Sequence, residues 1–124
     1  MRYDDVTGYL DANAAEELAK SVRKRLYGEG HDSPSLLQIE LESMKGFLKA
    51  AGRTVTACQR QIQGLKTKQL ALHGEQAAAS FDHAIAQLDK ISDRAADVRA
   101  LLSETIRVGQ TALNRWNAAR GDRL

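Results

Sequence analysis

From Leu37 onward, apolar residues recur at alternating steps of four and three for about five heptads. The row is Leu37, Leu41, Met44, Leu48, Ala51, Val55, Cys58, Ile62, Leu65, Gln69 and Leu72, in which Gln69 is the one polar member. A second row of the same kind follows: Ala77, Phe81, Ala84, Leu88, Ile91, Ala95, Val98, Leu102, Thr105, Gly109, Ala112 and Trp116. The step from Leu72 to Ala77 is five residues, so the seam loses phase there, and His73-Gly74 lies between the rows. A phase break at a glycine predicts a turn. The expected fold class is therefore all-α: an antiparallel, coiled-coil-like hairpin of two long helices over 33–73 and 75–119. A shorter N-terminal helix over 1–28 makes it resemble a three-helix bundle. All of 1–124 is read as a single domain.

Helix ends are marked in the sequence. Asp11 is a good N-cap, and Lys20, Arg23, Lys24 and Arg25 collect where the first helix should end, before Gly28. Ser33-Pro34 opens the second helix as N-cap and first helical residue. Forty helical residues span about 60 Å. Gly46, Gly52 and Gly64 weaken the second helix, and a kink is expected near Gly46–Gly52. Folding about Gly74 sets Cys58 against Ile91, Val55 against Ala95, Ala51 against Val98, Leu48 against Leu102, and Leu41 against Gly109. Large then meets small across the seam.

The third helix carries apolar residues beyond its seam: Ile85, Leu101, Ile106, Val108 and Leu113. They widen its apolar face, and the N-terminal helix is too short to cover the whole hairpin. The expectation is that it packs at the Trp116 end and that the remainder is a partner interface.

The chain is poor in aromatics (5%), rich in charge of both signs (27%) and nearly neutral at +2. Such a balance argues against a surface dedicated to nucleic acid or membrane. The basic patch Lys20, Arg23, Lys24 and Arg25 reads first as a helix terminus dressed with cations. A nucleic-acid role for it is the least favoured alternative. His31, His73 and His83 have no metal-ligand spacing, so no metal and no cofactor are expected. The single cysteine, Cys58, falls on the seam as a core filler. Asp82-His83 point to different helix faces, which argues against a catalytic dyad. No catalytic residues are assigned, and the chain is not expected to be an enzyme. Residues 1–10 contain no apolar run, so the protein is expected to be cytoplasmic or exported without a cleavable signal peptide.

Two stretches carry family resemblances. Lys45-Gly46 followed by Gly52 resembles the histidine phosphotransfer domain, but Glu42 stands where that family has its phosphoacceptor histidine. Over residues 47–118, the run Ala51-Gly52-Arg53, Ile62, Leu65 and Leu72-His73-Gly74-Glu75-Gln76-Ala77-Ala78-Ala79-Ser80-Phe81 resembles the WXG-class helical hairpins of type VII secretion. Leu72 replaces the turn tryptophan of that class, and Phe81 lies one residue too far from Gly74. Trp116 with Arg120 departs from its C-terminal tyrosine and acidic signal. The resemblance implies that Leu72, Gly74 and Phe81 help define the hairpin and that the flanking apolar stripe is a dimer surface. The resulting expectation is a non-enzymatic interaction protein, secreted or secretion-associated, that binds a helical partner or itself. The alternative is a cytoplasmic export chaperone or adaptor that binds an amphipathic helix.

Overall fold

The computed structural model describes residues 10–29, 33–71 and 75–121, and every element in it is helical. Helix α1 spans Ala12–Lys24 and runs on into a π-helical turn, Arg25–Glu29. Helix α2 spans Pro34–Ala71 and α3 spans Glu75–Gly121. The two long helices pack on each other as an antiparallel hairpin, so the expected all-α fold is the observed one.

The caps follow from side-chain chemistry. Asp11 Oδ1 accepts from the Ala14 amide at 3.1 Å, and Ser33 Oγ accepts from the Leu36 amide at 3.3 Å. Each satisfies one of the amides that the first turn leaves without a carbonyl partner. Three boundaries differ from the sequence reading. Among the described residues the first regular helix begins at Ala12, and Gly28 lies inside the π-helical turn rather than ending the helix before it. Helix α2 runs through Gly46, Gly52 and Gly64 as one unbroken helix. About 1 kcal/mol per glycine does not interrupt a helix whose other face is packed along its length. Helix α3 extends to Gly121. The connection at 72–74, with Leu72, His73 and Gly74, lies outside the described residues, as do 1–9 and His31.

The seam register agrees with the large-to-small matching. A Cβ on Gly109 would sit 2.8 Å from Leu41 Cδ2 and 3.6 Å from Leu37 Cδ1, so Leu41 fills the hole opposite Gly109. Near the far end, Gln69 Nε2 donates to Asp82 Oδ1 at 2.8 Å. Between these points Met44, Ala51, Cys58, Ala95, Val98 and Leu102 are buried.

Helix α1 lies in one groove of the hairpin and packs more extensively on α3 than on α2. Its inner row is Ala15, Ala19 and Val22, at steps of four and three, and all three are fully buried. They join Leu37, Leu41, Met44, Val98, Leu102 and Leu113 in one apolar cluster. Small residues at Ala15 and Ala19 let α1 approach closely, and a fully buried Val or Leu contributes about 1.5–3 kcal/mol. As expected, α1 covers the open end of the hairpin, but Trp116 stays substantially exposed there. Its N-terminal end reaches Thr54, whose Oγ1 accepts from the Leu10 amide at 3.1 Å. Among the described residues, the hairpin beyond Leu10 consists of α2 and α3.

Candidate interaction surfaces

The residues named as a partner stripe separate once α1 is in place. Leu113 is buried, and Leu101 and Ile106 pack against the shared core. These three are engaged within the chain's own core, which corrects their assignment to a partner. Val108 is half-buried and lines a surface cleft with Leu26, Tyr27, Thr111 and Ala112. Ile85 is half-buried in the distal, two-helix part of the hairpin, where Phe81 is half-buried as well.

The basic patch on α1 is also largely used inside the chain. Lys20 Nζ lies 2.8 Å from Glu16 Oε1, one turn away. The Arg23 guanidinium stands 5.8 Å from the centre of the Tyr27 ring, a cation–π arrangement. Arg25 pairs with Glu40, which is 9% exposed, and so ties the π-helical turn to α2. Of the four, only Lys24 shows neither an ion pair nor a ring contact among the described residues. Four adjacent cations in the sequence therefore do not form one free surface.

A second network fixes the other end of α1. Arg94 pairs with Glu16 and also donates to Asn13 Oδ1 at 3.2 Å, bringing α3 to the first turns of α1. Hydrogen bonds from Lys20 and then Arg94 hold the Glu16 carboxyl below its ordinary range. On α3, Arg107 hydrogen-bonds Glu104 at 2.6 Å; this lowers the Glu104 carboxyl and raises the Arg107 guanidinium.

Where α1 stops, a recess continues its groove among the described residues. Leu10, Thr54, Ala57, Cys58, Gln61, Leu88 and Ile91 line a mostly apolar recess of about 240 Å³. Ile91, a seam residue, is 51% exposed there. Cys58 is 5% exposed, and desolvation pushes its thiol pKa up, as suits a packing residue better than a nucleophile. His83 is exposed and within 3.2 Å of Gln87 Nε2. Among the described residues no group of three or more His, Cys, Asp or Glu is placed to hold a metal ion.

The sequence reading missed a different feature, on the outer face of α2. Residues 43–71 hold six cations, Lys45, Lys49, Arg53, Arg60, Lys66 and Lys68, and no Asp or Glu. Lys49, Arg53 and Arg60, with Arg99 from α3, line an open depression of about 680 Å³ around Gly52, Thr56 and Ala57. Net charge taken over the whole chain hides this run, because acids elsewhere in the sequence offset it. Charge counted helix by helix would have found it.

No protein-family model, no curated protein and no solved structure matches this chain. No helix among the described residues is long and apolar enough to cross a membrane.

Proposed function

We propose that the protein is a non-enzymatic interaction module that receives an amphipathic helix of a partner protein in the α2–α3 groove beyond Leu10. The observation that carries this reading is that, among the described residues, α1 occupies only part of the groove between α2 and α3. The recess at Cys58, Leu88 and Ile91 continues the line of α1 between the same two helices. Helix α1 itself illustrates what fits: an amphipathic helix with small residues on its inner row. The occupant proposed for the rest of the groove has the same character, apolar at i, i+3, i+4 and i+7. The raised thiol pKa of Cys58 and the apolar lining support binding over chemistry at this place.

In its narrower form the reading follows the WXG-class resemblance of residues 47–118, and the protein is secreted or secretion-associated. In the alternative form it is a cytoplasmic export chaperone or adaptor whose client supplies the helix. A photoreactive amino acid at Ile91 tests the shared claim, with Ala118 as an exposed control on the same helix. In the cells that make the protein, an adduct with a second protein at 91 but not at 118 is expected. No adduct at 91 overturns the groove reading. Recovery of the intact chain from the medium separates the secreted form from the chaperone form.

A further inference from the structure

We propose that copies of this chain assemble head to tail, the basic outer face of α2 docking on the acidic outer face of α3 in the next copy. The two faces are complementary in sign and in spacing. On α2 the row is Lys45, Lys49, Arg53 and Arg60, at steps of four, four and seven residues. On α3, read backward, it is Asp97, Asp93, Asp89 and Asp82, again at steps of four, four and seven. Each row therefore advances by about 6, 6 and 10.5 Å along its helix. All eight residues are exposed.

Among the described residues no ion pair joins one row to the other within the chain. Among the described residues, none of Lys49, Arg53, Arg60, Asp89, Asp93 and Asp97 makes an ion pair. Lys45 has only a surface contact with Glu42 at 3.3 Å. Asp82 accepts from Gln69. Each row instead repeats its own charge at i, i+4 (Lys45–Lys49–Arg53 and Asp89–Asp93–Asp97), an arrangement that destabilises an isolated helix. An opposing row relieves both repulsions at once. Lys90 and Arg94 lie at the margin of the acidic row, and Arg94 is committed to Glu16.

Backbone composition on the α2 face points the same way. Gly46 and Gly64 lie among the cations, and a Cβ on either would touch nothing within 4 Å. Nothing inside the chain calls for glycine there, whereas close approach of another helix does. Helix α3 offers small, exposed Ala86 and Ala100 around its acids. The antiparallel register that sets Lys45 opposite Asp97 leaves every hairpin pointing the same way. The contact is therefore heterologous and propagates into a ring or an open array. A nucleic acid is the competing occupant of the basic face. It is disfavoured by the acids on the reverse of the same two-helix layer and by the absence of aromatic residues around the depression.

The test is sedimentation of the intact chain in about 20 mM and about 0.5 M salt. Growth of the sedimentation coefficient with concentration is expected at low salt and loss of assembly at high salt. Lys49→Glu with Arg53→Glu, and separately Asp89→Lys with Asp93→Lys, should each give monomers. Mixing the two variants in equal amounts should restore assembly, because each then meets the opposite sign on both faces. If a reversal costs the fold by circular dichroism, the neutral variants K49Q/R53Q and D89N/D93N replace it, each expected to weaken assembly tenfold or more. A wild type that stays monomeric at low salt overturns the proposal. So does an equimolar mixture that fails to assemble where the wild type does. A monomer that shifts duplex DNA, with the shift lost in K49E/R53E, assigns the face to nucleic acid instead. None of these variants lies in the groove at Ile91, so the two surfaces stand or fall separately.

Discussion

Leu41 and Gly109 meet as a knob and a hole, with 2.8 Å between Leu41 Cδ2 and the place a Cβ would take on Gly109. Leu41 is 1% exposed, so its side chain has little room to retreat. Gly109→Ala therefore sets a gain in helix propensity of about 1 kcal/mol against overpacking of about 1–3 kcal/mol. The same change at Gly46, where a Cβ meets nothing, keeps the gain. In chemical denaturation at high salt, Gly46→Ala is expected to stabilise the chain and Gly109→Ala to leave it unchanged or weaker. Equal stabilisation by both would mean that the register at Leu41 is wrong.

Leu102 sits where all three helices meet and is fully buried, whereas its seam partner Leu48 is half-buried. Leu102→Ala should cost about 2–5 kcal/mol, and Leu48→Ala clearly less. Urea midpoints at constant slope measure both. A smaller loss at 102 than at 48 would move the core away from the α1 seat.

The Glu16 network predicts a pH dependence. Lys20 and Arg94 depress the folded-state pKa of Glu16 below the unfolded value. In the window between the two, the unfolded chain binds more protons, so stability rises with pH. The contribution is present above the ordinary carboxylate range, near pH 4.5, and is lost as pH falls through the lower folded value. Glu16→Gln should flatten this part of the stability profile. An unchanged acid limb in that variant would show that the α1–α3 contact does not depend on the carboxylate.

Arg25 and Glu40 join the π-helical turn to α2, with 30% and 11% of their side chains exposed. Arg25→Ala leaves the Glu40 carboxylate in a mostly buried site without this guanidinium, and the expected loss is about 1–3 kcal/mol. A double-mutant cycle with Glu40→Gln should show coupling between the two positions. Simple additivity would mean that the pair contributes little to seating α1.

The hairpin and its register were legible because heptad phase is a long-range signal: it specified Leu41 opposite Gly109 before any coordinates did. Asp11 and Ser33 announced the helix starts for the same local reason that makes them caps. The seat of α1 was half legible. Its length limited how much it could cover, but nothing in the sequence said that Leu101, Ile106 and Leu113 would join the chain's own core rather than meet another chain. The α1 cations were misleading as a patch because their partners, Glu16, Tyr27 and Glu40, are brought together by helical spacing and the fold. The basic run on α2 and the aspartate row on α3 were present in the sequence throughout. They disappear when a near-neutral total is taken as the measure of surface charge.

Every surface described for this protein depends on the chain reversing between Ala71 and Glu75. Spin labels at Gln59 and Lys90, both exposed, read that reversal directly. The native Cys58 is first replaced by alanine so that only the two introduced cysteines are labelled. On adjacent antiparallel helices the labels should lie within about 20 Å of each other, allowing for linker length. In one continuous helix the same residues would be about 46 Å apart. In magnetically diluted samples the hairpin predicts a dominant short distance. A distribution centred only on the long one would contradict the fold, and with it both the open groove and the paired outer faces.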